Sequence, residues 1–284
     1  MRNAVLFAAS LFLGLAATAQ ELPIPRESPG ATVRQSIGIS SLEIAYHRPA
    51  VKGRTVWGGL VPYGQVWRLG ANDATTLEIS DPMKIAGRDV PAGKYGLFAI
   101  PGPEAWTLIF NKRAQQWGAY FYKAEEDFLR FEVKPEAGPF TEWMTFDIYP
   151  EDRNRVRIGF AWEKLRFSIP VEVDVDRIVW SRYDAALADP KADWAAYQTA
   201  AHYAVQQNQR LDEAMVWIDK AIALQESFWN YETKARLLHK AGKTKEALPL
   251  LEKALVLSRG KAPKAYQDGL EQTKKEWEGV KSDG

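Results

Sequence analysis

The sequence predicts a mainly β domain followed by an α domain: an antiparallel β-sandwich or barrel, then a set of helical hairpins. Three observations carry this. Apolar residues alternate with polar ones, period two, over most of Val33–Val173. Near Asp174 the period changes to three or four. Beyond it, small and apolar residues recur at a fixed offset of 33, as Ala214 and Ala247, Ala221 and Ala254, and Leu224 and Leu257 show.

The chain opens on Arg2, an apolar run Ala4–Ala17 and the small residues Ala17-Thr18-Ala19. This is the pattern of a signal peptide over residues 1–19, and the run is shorter than the ~20 residues that span a bilayer. The expectation is an exported protein, periplasmic or extracellular, with no transmembrane segment once the leader is cleaved. Glu21–Pro29 holds three prolines and several charges, and reads as a mobile lead-in.

The β domain is placed at residues 28–173. Val33, Gln35, Ile37 and Ile39 share one face of a strand, and Leu42, Ile44 and Tyr46 share one face of the next, with Ser40-Ser41 as the turn. Leu77 and Ile79 alternate with Thr76, Glu78 and Ser80. Tyr95–Ile100 is apolar on both faces, like a central strand, and Pro101-Gly102-Pro103 turns it into Trp106, Leu108 and Phe110. Further strands are centred on Phe131, Phe146, Phe160 and Phe167. About ten short strands without a long helix between them define an antiparallel sandwich or barrel.

Helices occupy 176–280. Pro190 ends the first; Trp194, Tyr197, Ala201 and Ala204 follow helical spacing in the next; Tyr266, Leu270 and Trp277 mark the last. The 33-residue offset is similar to that of tetratricopeptide repeats, helical hairpins of period ~34. The first helix of each unit keeps it poorly, since His202 falls opposite Ala235. The repeats are expected either to dock a protein partner or to brace the sandwich.

Composition narrows the chemistry. Without its leader the chain has as many basic as acidic residues and no basic block, so nucleic acid is not an expected partner. There is no cysteine, which removes thiol catalysis and thiolate metal sites. A single His in the β domain cannot build a His-rich metal centre. No phosphate loop, dinucleotide fingerprint or serine nucleophile elbow occurs, so neither a metal nor a cofactor is expected.

One stretch stands apart. Tyr46–Thr76 combines three arginines, two tryptophans, two tyrosines, one His and five glycines, a mixture suited to irregular backbone that fixes side chains in place. Arg48, Arg54 and Arg68 are planar forks for carboxylates or phosphates. Asn72, Thr75 and Thr76 add neutral donors and acceptors, and Tyr46 and Trp57 add flat faces. Together they form a candidate site for a small polar or anionic ligand or an envelope glycan. The competing reading pairs the arginines with Glu43, Asp73, Glu78 or Asp81 and makes the stretch a pinned loop. His47, beside Arg48, is the one acid–base candidate, and it opens the alternative of a hydrolase or isomerase acting on sugars or small acids.

The same residues resemble a known family. Tyr46-His47-Arg48-Pro49, Lys52-Gly53-Arg54, Trp57-Gly58, Leu60-Val61-Pro62-Tyr63-Gly64, Val66-Trp67-Arg68, Gly70-Ala71-Asn72 and Ala74-Thr75-Thr76 are similar to the secreted bacterial family called Domain of Unknown Function 2911. Pro91–Phe98, Asn111-Lys112 and Trp117–Tyr120 extend the likeness, which runs from about Ser28 to Val173. The resemblance implies an exported β domain, sometimes with helical repeats attached. It implies no activity and no catalytic or binding residue.

Overall fold

The computed structural model describes residues 24–279, so the expected leader at 1–19 lies outside the described residues. Ten strands come first: β1 (Gly30–Ile37), β2 (Ser40–His47), β3 (Thr75–Ile79), β4 (Met83–Ile85), β5 (Arg88–Val90), β6 (Gly93–Ile100), β7 (Trp106–Asn111), β8 (Asp127–Val133), β9 (Glu136–Pro150) and β10 (Arg155–Glu172). They form a six-stranded sheet in the order β1-β2-β3-β6-β7-β8 and a four-stranded sheet in the order β5-β4-β10-β9. Every pairing is antiparallel.

Alternation decides which side chains face inward. On β2, Leu42, Ile44 and Tyr46 are buried while Glu43, Ala45 and His47 are partly exposed. Leu77, Leu97 and Phe110 of the first sheet meet Met144, Phe146, Ile158, Phe160 and Ile169 of the second in one continuous core. Each fully buried aliphatic or Phe side chain contributes about 1.5–3 kcal/mol, enough to hold two sheets together without disulfides. The fold is therefore a sandwich.

Local features differ from the sequence reading at three places. The β1–β2 turn is Gly38-Ile39, not Ser40-Ser41, because Gly38 has φ 59° and such a two-residue hairpin needs a left-handed residue in its first position. The hairpin β4–β5, around Ala86-Gly87, is too short for its alternation to register. Residues 155–172 form one strand and not two: β10 bulges against β9 around Glu163, which breaks the alternation without ending the strand.

Six helices follow: α1 (Val175–Ala188), α2 (Trp194–Gln207), α3 (Leu211–Leu224), α4 (Phe228–Lys240), α5 (Thr244–Ser258) and α6 (Lys264–Gly279). Asp174, where the period changes, is the N-cap of α1 and accepts from the Arg177 amide at 3.1 Å. Asp193 and Ser227 cap α2 and α4 in the same way. Val175, Ile178 and Val179 of α1 belong to the sandwich core, whereas Trp180 joins the core of α2 and α3. Helix α1 thus ties the two parts together.

The helices α2 and α3 pack as one hairpin, and α4 and α5 as a second. The second helices start 33 residues apart and the first helices 34, because α2 is one residue longer than α4. This shift explains why His202 found no match in the sequence. At an offset of 34 the buried Ala201 matches the buried Ala235, and Tyr197 matches Tyr231. Each of those tyrosines carries a lysine over its ring at 4.2 Å, Lys220 in one hairpin and Lys253 in the other.

Candidate functional site

The stretch between β2 and β3 closes one end of the sandwich. After His47 the chain crosses to the second sheet, where Val51 donates to the Glu142 carbonyl and Met144 donates to the Pro49 carbonyl. It then returns, and Trp67 exchanges backbone hydrogen bonds with Ala99 of β6. Val56, Val61 and Leu69 are buried beneath it as a plug. Leu69 (φ 52°) and Asn72 (φ 56°) hold left-handed backbone, a conformation costly for Leu. They flank Gly70 and Ala71, where a methyl on Gly70 would meet Thr75 Oγ1 at 2.9 Å.

The crossing leaves a hollow of about 290 Å³. Arg54, Arg68 and Asn72 line it with Lys52, Trp67 and Trp162, and Glu27 and Ser28 border it. Three of the eight proposed ligand contacts therefore meet in one place. Lys52 and Trp162 were not among those eight. Lys52 lies inside a recognised motif and carries the right charge, whereas nothing in its own strand pattern sets Trp162 apart from a core residue.

Arg68 is the distinctive group. Its Nε is buried with no hydrogen-bond partner, and no carboxylate among the described residues forms a salt bridge with it. Burial pushes the guanidinium below its ordinary value, slightly offset by the nearby Tyr120 phenol. Arg54 donates from Nε to the Val51 carbonyl at 3.1 Å and from Nη2 to the Ala50 carbonyl at 2.6 Å, which fixes its position without neutralising it. Lys52 pairs with Glu27 at 3.0 Å in an exposed bridge. Asn72 Nδ2 donates to the Ser28 carbonyl at 3.1 Å.

The other proposed contacts lie elsewhere. Arg48 donates to the Met144 carbonyl and to Thr145 Oγ1, pinning β2 to β9. The Tyr46 hydroxyl is engaged with the Phe146 backbone. Thr75 is buried and donates to the Leu69 carbonyl at 2.7 Å. Trp57 packs against Trp67, Trp106 and Trp162 with ring centroids 6.0, 4.7 and 5.5 Å away. The pairing of these arginines with Glu43, Asp73, Glu78 or Asp81 does not occur; those acids bind Arg34, Arg26, Lys94 and Arg182.

Thr76 and His47 share a separate cleft of about 560 Å³ on the outer face of the first sheet, with Asp73, Lys94 and Gln116. Burial holds His47 below its ordinary value against the pull of Asp73, helped by Arg26 and Arg68. The balance favours the neutral imidazole.

The lead-in also departs from expectation, since its last residues are anchored. Arg26 binds Asp73 at 2.9 Å, Glu27 binds Lys52, Ser28 accepts from Asn72, and the Pro29 carbonyl accepts from the Arg48 amide. Residues 26–29 form a strap between the hollow and the His47 cleft.

Among the described residues, no three His, Asp or Glu side chains gather as metal ligands would, and no helix is long and apolar enough to cross a membrane. No curated protein and no solved structure matches the chain. A family model described as "Protein of unknown function (DUF2911)" matches residues 28–171, half of the chain and nearly all of the sandwich. The protein belongs to the DUF2911 family.

Proposed function

We propose that this protein is an exported binding protein whose sandwich holds a small anionic ligand in the hollow of Lys52, Arg54, Arg68 and Asn72. The observation that carries this reading is Arg68: a half-buried guanidinium without a counter-charge among the described residues. Such a group loses hydration and gains nothing from the protein in return. A ligand carboxylate or phosphate supplies the missing charge through two parallel hydrogen bonds. The helices, with their repeated Tyr–Lys pairs and their likeness to tetratricopeptide repeats, serve as the docking surface for a protein partner. The leader-like segment 1–19 supports export, and a mature chain starting at Gln20 would be read directly by N-terminal sequencing.

The test is a calorimetric titration with a panel of organic acids and phosphate esters. Arg68→Ala is expected to lower affinity for the bound acid at least tenfold with nearly unchanged Tm. A loss of stability as large as the loss of affinity would make Arg68 structural and overturn the reading.

His47, in a cleft with Thr76 and Asp73 and with its neutral form favoured by burial, supports a second reading: an envelope hydrolase or isomerase acting on sugars or small acids that uses this imidazole as its base. Turnover of any glycoside or ester that His47→Ala leaves intact would remove it.

A further inference from the structure

The polar hollow has an aromatic rim. Trp143 forms a bridge to Ala50, which lines the hollow, and the Trp143 ring is exposed. On the Asn72 side, the Gly118 amide donates to the Asn72 carbonyl at 3.1 Å, and Trp117 bridges Asp73. This holds the loop that carries Trp117 and Tyr120 against the hollow. Tyr120 is 80% exposed, and its phenol lies near enough to Arg68 to bear on the guanidinium. Leu60, also exposed, lines the hollow itself.

Exposed Trp and Tyr rings are costly in water, and a set of them around one concave site points to a ligand. Arg26 stacks on Trp117 at 5.0 Å, whereas Tyr120 and Trp143 have neither a ring nor a cation stacked on them among the described residues. The hollow itself is lined by Lys52, Arg54 and Arg68. A protein partner would call for a continuous apolar patch depleted of lysine. Cations in the hollow with exposed rings beside it instead match a chain of sugars, whose C–H faces pack on aromatic rings and whose acid groups need the cations.

Building on the anionic-ligand reading, we propose that the hollow and its rim are one extended site for an acidic oligosaccharide. One sugar carboxylate binds Arg68, and neighbouring sugar rings lie on Tyr120 and Trp143. The ligand class is then a uronic-acid-type chain and not a free small acid.

The experiment titrates the full chain with galacturonate, tetragalacturonate and neutral maltotetraose. The acidic tetramer is expected to bind at least tenfold more tightly than the monomer, and maltotetraose at least tenfold more weakly than the acidic tetramer. Tyr120→Ala and Trp143→Ala, both at exposed positions, should cost the tetramer at least tenfold more affinity than the monomer, bringing the two affinities together. A tetramer that gains nothing over a bound monomer overturns the rim proposal while the anion site stands. If Arg68-dependent binding is seen only with non-sugar acids, the same holds. If no acid of any kind binds, both readings fall. Self-association abolished by Trp143→Ala, with tetramer affinity untouched, would assign the rim to protein contact and overturn the proposal as well.

Discussion

The Tyr46 hydroxyl accepts a hydrogen bond from the Phe146 amide at 3.0 Å and donates one to the Phe146 carbonyl at 3.3 Å. The two rings meet edge to face at 5.1 Å. Tyr46 lies on β2 of one sheet and Phe146 on β9 of the other, so a single phenol staples the sandwich across its core. Tyr46→Phe keeps the ring and removes both bonds, leaving a buried N–H and C=O without partners. The expected cost is about 1–3 kcal/mol of unfolding free energy, measured by urea denaturation, with ligand affinity unchanged.

Acid should loosen the joint between sandwich and helices. Burial raises the Asp81 carboxyl, but hydrogen bonds from Ser80 and Arg182 outweigh it and hold the group below its ordinary value. Asp176 behaves likewise, with Tyr203 and Arg153 outweighing burial. Both acids fasten α1 to the sandwich, Asp81 through Arg182 and Asp176 through Arg153. A carboxyl whose folded value is depressed stabilises the fold fully above its unfolded value. That contribution fades as pH falls through the lower, folded value. Stability should therefore drop below pH ~3.8, and Arg182→Ala should flatten the drop. A thermal-melt series against pH checks both.

Glu27 places a carboxylate of the protein itself at the edge of the hollow, on Lys52. Glu27→Gln removes that internal competitor. Affinity for an anionic ligand is expected to rise about threefold to tenfold. The Tm should barely move, because a solvent-exposed ion pair is screened and contributes little to folding. Calorimetry alongside melting curves separates the two effects.

Ala221 and Ala254 are fully buried at equivalent positions of α3 and α5. Replacing either by Leu forces extra methylenes between helices in close contact. Each substitution should cost about 1–3 kcal/mol, and anion binding by the sandwich should persist. Guanidinium denaturation with the ligand titration repeated on the variant tests this.

Gly38 carries left-handed backbone, and a methyl there would sit 2.5 Å from Val175 Cγ1. Gly38→Ala therefore strains the β1–β2 turn and pushes on the first residue of α1. The expected loss exceeds about 1 kcal/mol, seen as a lower denaturation midpoint.

The sequence alone determined most of the strands, where strands give way to helices, and the family, because side-chain periodicity and long local motifs are properties of neighbouring residues; it missed the short β4–β5 hairpin and split β10 in two. It also singled out the stretch that contains Arg54, Arg68 and Asn72. The tertiary structure decided how the members of that stretch divide. Tyr46, Arg48 and Thr75 spend their polar atoms on the scaffold, Trp57 packs inward among three other indoles, and Thr76 falls with His47 on an outer face. Arg68 alone among the three arginines is left without a partner, and Trp162, more than ninety residues further along the chain, reaches the same hollow. Whether an arginine is satisfied depends on what the folded loop and the other strands bring within about 3 Å of it, as the nearby carbonyls do for Arg54 and β9 does for Arg48. That is fixed by which strands pair and how two sheets face each other, and local pattern carries no record of it.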